Sequence, residues 1–182
     1  MTKKIAIVYH SGYGHTAKLV QHIALGAAKN LQLKVDVLSV DNIDWNVLDQ
    51  ADALILGCPT YMGSASAEFK QFMDNSSKVW LAQSWQGKLA AGFTNSGGLS
   101  GDKLAVLQQI QLFAMQHGML WVGMPLQPTG TTPDDLNRMG SYMGLMAQSD
   151  NASPDITPPI GDLKTAEWFG NYVAQTVLRL GL

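Results

Sequence analysis

Ile5-Ala6-Ile7-Val8-Tyr9-His10-Ser11-Gly12-Tyr13-Gly14-His15-Thr16 is the stretch on which the reading of the chain turns. Its first part, Ile5 to Tyr9, is a short apolar, β-branched run without alternation, which predicts a strand buried on both faces. Its second part carries two glycines and two hydroxyls, with no Lys or Arg. From Thr16 to about Lys29 the residues Leu19, Val20, Ile23 and Ala27 recur at helical spacing, so the loop runs into a helix. Glycines permit tight curvature, and a helix start offers unpaired N–H groups and a positive dipole end. The combination suits a phosphate held by backbone amides and hydroxyls rather than by cations.

Other loops of this type fail on spacing. No Gly-Lys-Ser/Thr closes the loop, as a Walker loop requires. Ala17 stands where the dinucleotide fingerprint needs its third glycine, and Tyr9 where a nucleophile elbow needs its first. A phospho-accepting receiver domain would want carboxylates here. A plain strand-to-helix turn remains the alternative on these residues alone.

Outward from this stretch, apolar runs alternate with helix-period segments. Val35–Leu38, Ala53–Gly57 (ended by the breaker Pro59), Leu89–Phe93 and Met119–Val122 read as further strands. Ile43–Leu48 reads as a short helical connector. A helix beginning near Ser66 carries Phe69, Phe72 and Met73 on one face, and another runs from about Asp102 to Gln116. The last, Leu163 to about Leu180, turns Trp168, Tyr172, Val173 and Val177 inward. Five βα units predict an α/β domain spanning 1–182, a parallel sheet with helices on both faces. Ligands of such sheets sit beyond the C-terminal strand ends, here loops 10–16, 58–66 and 94–101. Met124 to Asp162 holds most of the prolines and shows no period. Its length as a structureless stretch points to a functional cover.

The 182 residues are 46% hydrophobic and 14% charged, with a net charge of −2. That balance argues against a basic nucleic-acid surface and lacks the heavy acidity of a docking electron carrier. So few charges suggest that another subunit covers part of the surface. Cys58 is the single cysteine, which excludes an intramolecular disulfide. No run approaches the roughly 20 apolar residues of a membrane span, and Ile5–Tyr9 is too short for a signal peptide. The expected location is cytoplasmic. No His, Cys, Asp or Glu group has metal-ligand spacing.

Ser11 through Thr16 resembles the phosphate loop of flavodoxin-like proteins. Gly57-Cys-Pro-Thr-Tyr-Met-Gly63 with Phe69–Asp74 resembles the G-T-P-T-R-F-G…F-L-D segment of the tryptophan-repressor-binding-protein-type NAD(P)H:quinone oxidoreductases, relatives of the NADPH-dependent FMN reductases. Phe93-Thr-Asn-Ser-Gly97, Gln116-His-Gly-Met119, Gly140-Ser-Tyr-Met-Gly144 and Gly170-Asn-Tyr-Val173 are similar to family segments in the same order. The resemblance covers nearly the whole chain. It implies a flavodoxin-like three-layer α/β/α fold, with a five-stranded parallel sheet in the order 2-1-3-4-5.

It also implies an FMN cofactor, NAD(P)H as electron donor and a quinone-like or flavin acceptor, in a homodimer or homotetramer. Ser11, Tyr13, Gly14, His15 and Thr16 would hold the phosphate. Pro59, Thr60, Tyr61, Met62 and Gly63 would pass along the ring, and Asn95, Ser96, Gly97 and Gly98 would face its pyrimidine side. Trp80 matches a substrate-pocket tryptophan, and Tyr142 with Gly140 and Gly144 would lie nearest the acceptor. No catalytic residue is singled out. Gln116 replaces the first His of the family's His-His-Gly-Met, Tyr61 replaces its Arg, and the link between strands two and three is shorter. No charged residue occurs from Ala53 to Ala67 or from Leu89 to Gly101, which favours two-electron reduction. The alternative is a flavodoxin-type electron carrier without substrate turnover.

Overall fold

The computed structural model describes residues 2–181. Its sheet has the order β2-β1-β3-β5-β6, formed by β1 (Lys3–Tyr9), β2 (Leu33–Ser39), β3 (Ala53–Tyr61), β5 (Leu89–Ser96) and β6 (Leu120–Trp121). All four pairings along this path are parallel. The α/β class and winding match expectation, but the strand count does not. β4 (Ser64–Ala65) folds back antiparallel on the end of β3. β7 (Leu145–Gln148) pairs parallel with β5, Phe93 opposite Leu145 through Ser96 opposite Gln148.

The fifth position of the sheet is therefore shared. β6 covers the start of β5, at Leu89 and Ala90, and β7 covers its end. Residues 122–144 leave the sheet between the two. The expected strand Met119–Val122 shrinks to Leu120–Trp121, and a strand appears inside the segment expected to be structureless. Leu145 and Ala147 are buried while Met146 and Gln148 are only partly so, an alternation too short to stand out in sequence.

Burial on both faces explains the unbroken apolar strands. Ile5, Ile7 and Ile55 face one helical layer, whereas Ala6, Val8, Leu54 and Leu56 face the other. The first layer is α1 (His15–Ala27) and α6 (Ile160–Leu180), which contribute Leu19, Val20, Ile23, Phe169, Val173 and Val177. Gly26 and Gly170 let these helices touch. A Cβ on Gly26 would run into the Glu167 carbonyl, and one on Gly170 into that of Ile23. The second layer is α2 (Trp45–Gln50), α3 (Ala67–Asn75), α4 (Ser77–Ala82) and α5 (Lys103–Gln116). Phe69, Phe72, Trp85 and Phe113 fill its core.

Ser66 stands at the N-terminus of α3 as expected, but its hydroxyl bonds Nδ1 of buried His10 at 2.8 Å instead of the helix amides. That bond ties the loop after β3 to the loop after β1. β3 continues through Pro59, which pairs with Asn95 at the open end of the sheet. No helix is long and apolar enough to cross a membrane among the described residues.

Candidate functional site

The loops after β1, β3 and β5 meet at the C-terminal edge of the sheet around a cleft of about 410 Å3. Such a volume lies within the range of small-molecule sites. Tyr13, His15, Thr16, Pro59, Thr60, Tyr61, Asn95, Ser96 and Gly97 line it, together with Ser149, Asp150, Asn151 and Ala152.

At the α1 end, Gly14 occupies the N-cap with φ +90°, a left-handed conformation that L side chains rarely adopt. Having no side chain, it cannot cap the helix. The Ser11 hydroxyl does so instead, accepting from the Ala17 amide at 3.1 Å. No acidic residue occupies the first turn, so its dipole end is uncompensated. His15 Nε2 lies 2.8 Å from the Ala152 carbonyl, and a Cβ on Gly14 would come 2.7 Å from Pro154. Ala152 and Pro154 thus rest on this loop. Tyr13 and Tyr61 meet edge to face, 6.2 Å between centroids. Burial, followed by neighbouring Tyr13, raises the Tyr61 phenol above its ordinary value and keeps it neutral. Cys58, wholly buried, has its thiol pushed up to about 12 by burial, which makes it an inert filler.

At the β5 end, hydroxyls and amides are held from behind. Thr60 and Thr94 share a hydrogen bond of 2.8 Å, and Thr94 donates to the Cys58 carbonyl. The Ser149 hydroxyl donates to Asn95 Oδ1 at 3.0 Å. The carbonyls of Ser96, Gly97 and Gly98 accept in turn from Ser149 N, Gln148 Nε2 and Lys103 Nζ. Arg138 donates twice to Asp162 and once to Gln148, and Asp162 also accepts from the Gln148 amide. Lys103 is a near neighbour of the loop in sequence, whereas Gln148, Ser149, Arg138 and Asp162 come from distant parts of the chain.

Several expected residues lie outside the cleft wall. Ser11 and Gly14 shape the first loop from within. Gly98 turns its carbonyl to Lys103. Met62 and Gly63 form the tip joining β3 to β4, with Met62 fully exposed. Trp80 lines a separate cleft of about 350 Å3 with Gln116 and His117. His117 is buried there against Trp85 and bonded to Ser76, and burial lowers its pKa. Tyr142 is half-exposed, and its carbonyl accepts from Met124 N. The part of the long segment that reaches the cleft is Ser149–Ala152, not the stretch around Tyr142. In sequence those residues look like an exposed turn, and only the brief alternation before them marks a strand ending at the site. The sequence signal at Lys103 is weak, a lysine opening a helix against its dipole.

The family model for NADPH-dependent FMN reductase matches residues 45–126. Flavodoxin FldP of Pseudomonas aeruginosa (strain UCBPP-PA14) is 40% identical over 94% of this chain and 95% of that protein. An NAD(P)H dehydrogenase (quinone) of Archaeoglobus fulgidus is 28% identical over 97% of this chain and 98% of its own. The crystal structure of a flavodoxin, WrbA-like protein from Agrobacterium tumefaciens superposes with a TM-score of 0.78 at 39% identity, covering 97% and 98% of the two chains. Taken with the neutral loop ahead of α1 and the shared sheet order, these likenesses show that the chain belongs to the WrbA-type, flavodoxin-like family of FMN proteins.

Proposed function

We propose that the chain binds one FMN in the 410 Å3 cleft and acts as a cytoplasmic NAD(P)H oxidoreductase with a quinone-like or flavin acceptor. One observation carries this reading. A loop offering hydroxyls and free helix-start amides opens onto the same cleft as the polar ends of β3 and β5. The residues present fit the cofactor, because an uncompensated helix start and the hydroxyls of Ser11 and Thr16 suit a dianionic phosphate. The cleft beyond is walled by Tyr61 and by polar groups suited to the edge of a planar heterocycle.

In this reading Ser11, Tyr13, Gly14, His15 and Thr16 bind the phosphate, and the His15–Ala152 contact steadies the loop beside it. Pro59 to Gly63 lie along the ring, and Asn95 to Gly98 orient its polar edge. Bound FMN supplies hydride acceptance and electron delivery. Trp80 and Tyr142 approach the acceptor only through the association of copies, so the working unit is a homodimer or homotetramer.

Asp150 supports a second reading. A carboxylate in the cleft opposes an anionic ring, as an electron carrier would require, and it qualifies the argument drawn from the uncharged β3 and β5 loops. Anaerobic titration of the purified, FMN-loaded protein with NADH and NADPH, followed by quinone turnover, separates the two. Bleaching of the flavin bands by either nucleotide is expected. A yellow protein that neither nucleotide reduces is an electron carrier, and a protein that binds no FMN ends both readings.

A further inference from the structure

Lys103 is a buried charged side chain that the proposed chemistry leaves unused. It has no exposed surface, and its Nζ donates to Ser96 Oγ at 2.8 Å and to the Gly98 carbonyl at 2.6 Å. Both acceptors are neutral. The charged groups around it come from three other places. Arg138 lies on the excursion 122–144, Asp162 in the first turn of α6, and Asp150 just beyond β7, with Asp102 adjacent at the N-cap of α5. Arg138 and Asp162 neutralise each other across a buried 2.8 Å contact. Asp150 is exposed and engaged by Gln148. The cluster of Lys103, Arg138 and Asp162 therefore keeps one positive charge without a buried counter-ion.

That charge lies behind a loop already turned to receive an anion. The Ser96 carbonyl is bound by Ser149 from the β7 side, and a peptide plane sets the next N–H opposite its C=O. The Gly97 N–H is thereby directed toward β3, where Pro59–Tyr61 form the facing wall of the cleft. We propose that Lys103 is a positioning residue whose buried ammonium draws negative charge into the space beside Ser96 and Gly97, favouring reduced, anionic flavin over oxidised flavin. This rests on the FMN reading above. Burial lowers the Lys103 pKa to about 8, with Asp162 raising and Arg138 lowering it in smaller measure. An anion in the cleft pulls it back up, and the influence fades once the ammonium loses its proton.

The test compares dissociation constants of oxidised and dithionite-reduced FMN for the wild-type protein and Lys103→Met, between pH 7 and pH 9.5. A unit charge acting across roughly 10 Å of protein changes such an equilibrium about tenfold. The wild-type preference for reduced FMN is thus expected to exceed that of Lys103→Met about tenfold at pH 7, and to converge on it as pH rises. The wild-type profile alone carries the same fall if the variant does not fold. Equal preferences at pH 7, or a difference that holds unchanged to pH 9.5, overturn the proposal, since lost hydrogen bonds to the loop act at every pH. Failure of the wild-type protein to bind FMN at all overturns the parent reading and this one with it.

Discussion

At the α1 end of the cleft, the groups offered to a ligand come from one short stretch, Ser11 to Ala17, organised by its own glycines and by a helix start. At the β5 end, the loop Ser96–Gly98 is held by Gln148, Ser149 and Lys103, with Arg138 and Asp162 behind them. The first end is neutral and its geometry is local. The second is charged and exists only once β7, the excursion and α6 have docked. Local construction makes a site robust and ligand-specific, whereas construction at a distance couples it to global stability and to pH.

The largest effect should come from Ser11→Ala combined with Thr16→Ala. Each hydrogen bond lost to a charged phosphate costs about 1.5–3 kcal/mol, so FMN affinity should fall at least a hundredfold in a fluorescence titration. Riboflavin, which lacks the phosphate, should bind both proteins equally weakly. An equal loss with riboflavin would show that this end is not separable from the other.

Asp162→Ala strikes the distant end. It leaves Arg138 unpaired beside Lys103, and removing one partner of a buried pair costs about 3–5 kcal/mol. Urea denaturation of the apo-protein should show that loss. A change under about 1 kcal/mol would mean that the network is incidental to the fold.

Lys103→Met acts in the opposite direction on the apo-protein. Lys103 binds its proton less readily folded than unfolded, so wild-type stability should rise between pH 8 and the ordinary lysine range. Below pH 8 the buried charge exerts its full penalty. The Met variant should be more stable at pH 7, by roughly 1–4 kcal/mol, and should lack that rise relative to the wild type. Parallel pH–stability curves would sink the assignment of a buried charge. The smallest effect belongs to Tyr142→Ala, whose half-exposed side chain should alter stability by less than about 0.5 kcal/mol and leave FMN binding unchanged. Its effect should be confined to the quinone KM, and a loss of FMN affinity would place Tyr142 at the cofactor instead.

The same asymmetry governs what the sequence discloses. Ile5–Thr16 announces a strand, a neutral loop and a helix because propensity, glycine placement and periodicity all lie within a few residues. The split fifth position does not announce itself. Two residues at Leu120–Trp121 and four at Leu145–Gln148 are too short for a period, and the hydrogen bonds that make them strands belong to β5. Ser149–Ala152 carries turn chemistry and gains its place in the cleft from the strand before it. Lys103 is a common residue in an ordinary helix, and only the closing of Ser96, Gly98 and Arg138 around it turns it into a buried charge.

The tight crossing at Gly26 and Gly170 also bears on how the chain is made. The face of α1 bearing Leu19, Val20 and Ile23 packs on β1 and is sealed from outside by α6, which leaves the ribosome after every strand. During synthesis the earliest helix must wait, apolar side uncovered, for the latest. The phosphate loop hangs from the start of that helix, so ligand-binding competence should arrive only once α6 has emerged, rather than grow with each strand added. A nascent chain stalled before residue 160 would have its glycine loop and no firm helix to hold it, and would depend on chaperones meanwhile.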